Sequence, residues 1–119
     1  YRPFTFSANM ASLYGASDIV LGRAGATTIQ ELANSSKASI IIPAHLSDQK
    51  KNAKILDELG ASVVLDQNAL LAKPEELTSS IQFLLSDEKF RSSIERAIGE
   101  LARPDVSDKI VETLLKLKK

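Results

Sequence analysis

Asp18-Ile-Val-Leu-Gly22 runs straight into Arg23-Ala-Gly-Ala-Thr-Thr-Ile-Gln-Glu31, a strand-like apolar run followed by a small-residue turn that opens into helix-like sequence. Gly25 and Ala26 carry almost no side chain, so a ligand can approach the main chain there. A helix beginning near Thr27 or Thr28 would aim its unpaired N–H groups and its positive end at that ligand, an arrangement suited to phosphate. Glu31 falls one turn further on.

Outward from this turn, strand and helix patterns alternate. Phe4-Thr-Phe6 reads as a short strand, and Ala8 to Gly15 as a short helix that brings Met10, Leu13 and Tyr14 to one side before a glycine stop. Ile19-Val-Leu21 reads as the next strand, residues 27–35 as a helix with Ile29, Leu32 and Ala33 at helical spacing, and Ala38-Ser-Ile-Ile-Ile-Pro43 as a strand buried on both faces. A polar loop, Ala44-His-Leu-Ser-Asp48, leads into a helix from Gln49, whose stripe of Ala53, Ile55, Leu56 and Leu59 ends at Gly60, and Val63-Val-Leu65 supplies another strand. Strands separated by helices with short connections predict an α/β chain with a Rossmann-like parallel sheet and right-handed crossovers. From Pro74 three helical patterns follow: Leu77, Ile81 and Leu84; Phe90, Ile94, Ile98 and Leu101; Val106, Ile110, Leu114 and Leu117, the last after a break at Pro104-Asp105, where Asp105 or Ser107 can cap. Residues 1–119 read as one unit without a linker.

Fifteen Lys+Arg balance fifteen Asp+Glu, so no overall field attracts nucleic acid or an anionic membrane, and any phosphate site must be local. Without cysteine the chain has neither disulfides nor thiolate metal sites, which fits a reducing compartment. No apolar run approaches the roughly 20 residues of a membrane span. The sequence opens on Tyr1 and reads like the interior of a sheet protein, so a domain cut from a longer chain is expected. In the tail Leu114-Leu-Lys-Leu-Lys-Lys119, Leu114 and Leu117 continue a core stripe and the lysines suit a helix C-terminus, a reading preferred to a membrane-surface helix.

In an open parallel sheet ligands bind beyond the carboxyl ends of the strands, where residues 22–31 and 43–52 lie. The first stretch offers backbone amides and the Thr27 and Thr28 hydroxyls to a diphosphate, with Glu31 placed for ribose hydroxyls. The purely structural alternative makes Gly25 a tight turn, Thr27 an N-cap and Glu31 a capping-box or solvated residue. In the second stretch His45, Ser47, Asp48, Gln49 and Asn52 are donors and acceptors that read sugar hydroxyls; alternatively Ser47 or Asp48 caps the helix that Gln49 and Asn52 decorate. Arg23 suits either a phosphate or a surface ion pair. His45 and Asp48 alone do not make a metal ligand set, and with one histidine and no G-x-S-x-G elbow no nucleophile–base pair can be drawn.

The R-x-G-A-x-T-x-x-E core of residues 23–31, with Met10, Leu13-Tyr14, Asp18-Ile-Val, Ile-Ile-Ile-Pro43, the D-x-x-x-N-A segment of residues 48–53, Leu-Gly60-Ala and Arg103-Pro-Asp105, resembles the C-terminal half of glycosyltransferase family 28 over nearly the whole chain. The resemblance implies a GT-B enzyme, two Rossmann-like lobes facing a cleft, of which this is part of the C-terminal, nucleotide-sugar-binding lobe with its C-terminal helices. It implies UDP-N-acetylglucosamine as donor and a lipid-linked peptidoglycan precursor as acceptor, in cell-wall synthesis and cell division at the cytoplasmic face of the plasma membrane. By similarity Phe6, Ser7 and Met10 lie at the uracil, Gly25, Ala26, Thr27 and Thr28 at the diphosphate, Glu31 at the ribose, and Asp48 and Gln49 at the sugar. Ser7 and Asp48 depart from the residues usual at their positions.

The same resemblance assigns the acceptor, the general base and the membrane contact to an N-terminal lobe that precedes Tyr1, leaves no catalytic residue in these 119, and implies neither cofactor nor metal. The fragment alone is expected to be inactive. Two other readings stand beside it: a separately encoded partner subunit, as in two-chain relatives of asparagine-linked glycosylation, and a Rossmann-like module for another sugar nucleotide.

Overall fold

Ile40 and Ile41 are both wholly buried, and adjacent strand residues point to opposite faces, so this strand needs cover on both sides. The computed structural model describes residues 1–45 and 47–117 and supplies that cover. Strands β1 (Val20–Gly22), β2 (Ser39–Ile41) and β3 (Val63–Val64) form a parallel sheet in the order β1-β2-β3, with Val20 opposite Ser39 and Ile40 opposite Val63. Helix α1 (Met10–Ala16) precedes β1, α2 (Ala26–Ser35) joins β1 to β2, and α3 (Ser47–Glu58) joins β2 to β3. Then come α4 (Gln67–Ala72), α5 (Glu75–Ser86), α6 (Glu88–Gly99) and α7 (Val106–Leu117).

On one face Ile41 joins Tyr14, Leu32, Ala33, Leu56 and Ile98; on the other, Ile40 joins Ala38, Leu84 and Ile94. α6 contributes to both clusters, so it closes the core across the sheet. Each fully buried Leu or Ile is worth about 1.5–3 kcal/mol. The one buried polar pair among the described residues, Ser39 and Ser62, is self-satisfied: Ser39 Oγ donates to Ser62 Oγ at 3.0 Å and Ser62 Oγ donates to the Ser39 carbonyl at 2.9 Å.

Several elements differ from the sequence expectation. Phe4-Thr-Phe6 is not a strand: no neighbouring strand pairs with it among the described residues, and Phe4 and Phe6 are exposed. Gly15 lies inside α1, which ends at Ala16 and is capped by Ser17, whose Oγ donates to the Leu13 carbonyl at 2.6 Å. α3 begins at Ser47, ahead of Gln49. Among the described residues four helices rather than three follow Leu65, because Asp66 caps a short α4 by accepting from the Asn68 and Ala69 N–H groups at 2.8 and 2.9 Å. Ile55, Leu59 and Phe90, expected in apolar stripes, are exposed, as is every residue of α7, so Leu114 and Leu117 extend no core stripe here. Amphipathic spacing shows that a face is apolar, not that this chain covers it. Leu46, Lys118 and Lys119, from the expected polar loop and tail, and the Ser47 side chain, an expected cap, lie outside the described residues. Among the described residues no helix is long and apolar enough to cross a membrane.

Two helix ends use the same hydrogen-bond pattern with different residues. After α3, Gly60 has φ 61°, and the Gly60 and Ala61 N–H groups donate to Asp57 and Leu56 carbonyls. After α2, Ser36 has φ 48°, and the Ser36 and Lys37 N–H groups donate to Ala33 and Leu32 carbonyls. Both are left-handed caps, which a Cβ disfavours by roughly 1–2 kcal/mol. Opposite substitutions should therefore have opposite signs. Urea titration is expected to show Gly60→Ala losing about 1 kcal/mol and Ser36→Gly gaining several tenths; a loss at both positions would contradict this account.

Candidate functional site

The turn from β1 into α2 is held from inside. Ala24 is wholly buried, and its carbonyl accepts from Asn52 Nδ2 of α3 at 3.0 Å. Gly25 is the N-cap, with φ −73° and ψ 146°, an extended conformation open to any residue. A Cβ there would meet only Thr28 Oγ1 at 3.8 Å. Neither the backbone nor crowding within the chain requires glycine, so its effect is to leave the helix end uncovered.

Among the described residues no side chain caps that end. Gly25 offers no side-chain cap, and α2 has no acidic residue in its first turn. The Ile29 N–H is the first to bond back, to the Gly25 carbonyl at 3.0 Å, so the Ala26, Thr27 and Thr28 N–H groups have no acceptor within the helix. Thr27 is thus not the N-cap that the structural alternative required. Ala26 and Thr27 are exposed; Thr28 is half-buried, its methyl 3.4 Å from where a Cβ on Gly22 would stand.

Thr27 and Glu31, four positions apart, share a face of α2, about 6 Å apart along its axis. Glu31 is half-buried and forms no capping box: its Oε2 accepts from the Tyr14 hydroxyl at 2.8 Å. Tyr14 comes from α1 and is 7% exposed. Met10, Ala11 and Tyr14 of α1 and Glu31, Asn34 and Ser35 of α2 line a groove of about 500 Å³. Met10 and Glu31 therefore share one groove. Ser7 lies just before α1, half-buried, its Oγ accepting from the Asn9 N–H at 3.2 Å, and Phe6 is exposed.

The second stretch sits beside the turn, not in the groove. Gln49 Oε1 accepts from the Ala44 N–H at 2.9 Å, which leaves its amide NH2 to donate elsewhere; Asp48 and His45 are exposed. Arg23 Nη1 donates to the Ile42 carbonyl at 3.0 Å and to Gln67 Oε1 at 2.6 Å; the residue is exposed, and among the described residues it forms no surface ion pair, one of the two uses the sequence left open. The Ala69 and Asn68 N–H groups, with the charges of Lys50 and His45, hold Asp66 below the usual carboxylate range. Among the described residues no three His, Asp or Glu side chains gather as metal ligands would. Sequence reasoning missed Tyr14 as a partner of Glu31. They stand 17 positions apart, and no local spacing links them.

A sequence profile described as the glycosyltransferase family 28 C-terminal domain matches residues 1–110. The chain belongs to glycosyltransferase family 28. The UDP-N-acetylglucosamine–N-acetylmuramyl-(pentapeptide) pyrophosphoryl-undecaprenol N-acetylglucosamine transferase of Chlorobium phaeobacteroides is 37% identical over 93% of this chain and 31% of its own length. The protein of that name from Listeria monocytogenes is 31% identical over 99% of this chain and 32% of its own length. The crystal structure of MurG from Acinetobacter baumannii matches with a TM-score of 0.81 at 27% identity, over 95% of this chain and 33% of that one. The chain thus spans about a third of the length of the curated relatives it matches. Its α/β architecture is that of a family 28 C-terminal lobe, and the groove and the open α2 end lie on that framework.

Burial, then the hydrogen bond to Glu31 and the Glu31 charge, push the Tyr14 phenol from its ordinary 10.0 up to about 12. Between these values the unfolded chain has released the proton and the folded chain keeps it, so this contribution to stability is whole below pH 10.0 and is lost as pH rises through about 12. Urea midpoints followed across that window should fall more steeply for the unmodified protein than for Tyr14→Phe. Parallel curves would contradict the raised value.

Proposed function

We propose that this chain is the donor-binding part of an inverting glycosyltransferase that transfers N-acetylglucosamine from UDP-N-acetylglucosamine to a lipid-linked peptidoglycan precursor at the cytoplasmic face of the plasma membrane. The observation that carries the reading is the α2 start, with three amides lacking helix acceptors, a glycine cap and no first-turn acid, on the same helix face as a carboxylate one turn later. A UDP moiety matches this order. Its diphosphate meets the N–H groups of Ala26, Thr27 and Thr28, and its ribose hydroxyls meet Glu31. The uracil lies by Phe6, Ser7 and Met10, and the sugar extends toward Asp48 and Gln49. The names of the relatives, which specify this donor and acceptor, support the same reading.

In this mechanism the acceptor hydroxyl attacks the anomeric carbon as the bond to UDP breaks. Negative charge develops on the leaving diphosphate, and the α2 dipole and amides stabilise it there. The general base and the acceptor site belong to the remaining length of the full protein, as does the membrane contact; residues 1–119 form part of one lobe and need no cofactor for this step.

Steady-state kinetics of the full-length protein test the assignment. Glu31→Ala should raise the KM for UDP-N-acetylglucosamine by roughly 10- to 100-fold, the worth of charge-assisted hydrogen bonds to ribose, with kcat at saturating donor little changed; an unaltered KM would remove Glu31 from the site. Calorimetry with UDP-glucose beside UDP-N-acetylglucosamine reads donor preference. Ala26→Asp separates stability from binding: an acid in the first turn should stabilise the helix by about 0.3–1 kcal/mol while weakening UDP binding. Tighter or equal UDP binding by that variant would place the diphosphate elsewhere.

A further inference from the structure

The groove between α1 and α2 contains one feature that the proposed function leaves unused. Glu31 is not a free side chain at the rim: Oε2 accepts from the Tyr14 hydroxyl at 2.8 Å, the one hydrogen bond its carboxylate makes among the described residues. Tyr14 is itself fixed, because its ring packs in the core with Leu32, Ala33 and Ile41. α1 is tied to the far end of α2 as well, where Lys37 Nζ donates to the Gly15 carbonyl at 3.5 Å. A glutamate on a helix surface ordinarily samples many rotamers, and freezing it on ligand arrival costs affinity. Here one carboxylate oxygen is anchored to a buried phenol before any ligand arrives, and the other is left to accept.

We propose that Tyr14 is a positioning residue for ribose recognition: its hydroxyl holds Glu31 in the rotamer that presents Oε1, and the remaining acceptor capacity of Oε2, to a vicinal diol. The inference rests on the reading of Glu31 as the ribose ligand. Because its phenol is held protonated up to about pH 12, Tyr14 remains a donor throughout the physiological range. Its influence passes through Glu31, so it should act on ligands that carry the diol and on no others.

A double-mutant cycle in the full-length protein tests this, with calorimetric Kd values for UDP and for a 2′,3′-dideoxy analogue of UDP. Tyr14→Phe keeps the ring in the core, and a circular-dichroism melt checks its fold. The expected result is a Kd for UDP raised roughly five- to tenfold, a Kd for the dideoxy analogue essentially unchanged, and no further loss when Tyr14→Phe is added to Glu31→Ala. Equal weakening for both ligands, or an additive loss in the double variant, would make Tyr14 a merely structural residue and overturn the proposal. Tyr14→Phe binding UDP as the unmodified protein does would overturn it too. If instead Glu31→Ala leaves UDP affinity intact, the ribose assignment itself has failed, and the inference falls with it.

Discussion

A strand buried on both faces constrains everything else in this chain. Ile40 and Ile41 have no exposed surface, so β2 must lie between two strands and between two apolar layers. The parallel sense then sends the ends of β1 and β2 to one edge, where the turns into α2 and α3 meet. Hydrogen bonds from Asn52 to the Ala24 carbonyl and from Arg23 to the Ile42 carbonyl fasten them to each other, and the Ala44 amide donating to Gln49 Oε1 braces the second turn within itself. The open α2 end therefore stands on a braced frame, as a preorganised site requires.

Helix ends show how the chain divides its polar groups between stability and binding. Asn9, Asp66 and Asp87 each accept amide hydrogens at the start of α1, α4 and α6. α2, at the carboxyl end of β1, has no such side chain. A capping Asp or Asn there would add about 1 kcal/mol to the helix, and it would occupy the amides that a phosphate needs. α5 also begins without a side-chain cap, at Pro74, but carries Glu75 and Glu76 in its first turn, whereas α2 has neither device.

Much of the framework was legible in the sequence because its signals are short-range. The run around Ile40, the helical spacing of Leu32 and Ala33, and Gly60 at the end of α3 reflect local geometry that any surroundings would preserve. Other features were not legible. α4 is too short to establish a period, and Asp66 marks it only once the Asn68 and Ala69 amides are seen to converge. Phe4 and Phe6 alternate like a strand, yet a strand exists only where a partner completes its ladder. The apolar residues of α7 repeat at core spacing and are all exposed, because periodicity describes one helix and burial depends on two surfaces.

The sequence by itself determined the alternation of strand and helix from β1 to β3, the double burial of β2 and the chemistry available in residues 23–31, since each follows from side-chain pattern within a few residues. Only the tertiary structure decided how those groups are used. It joined Arg23 to the Ile42 carbonyl and to Gln67, and Tyr14 to Glu31 across 17 residues. The physical reason is the same in each case. A hydrogen bond between distant residues depends on where the folded backbone carries them, and no spacing along the chain encodes that meeting.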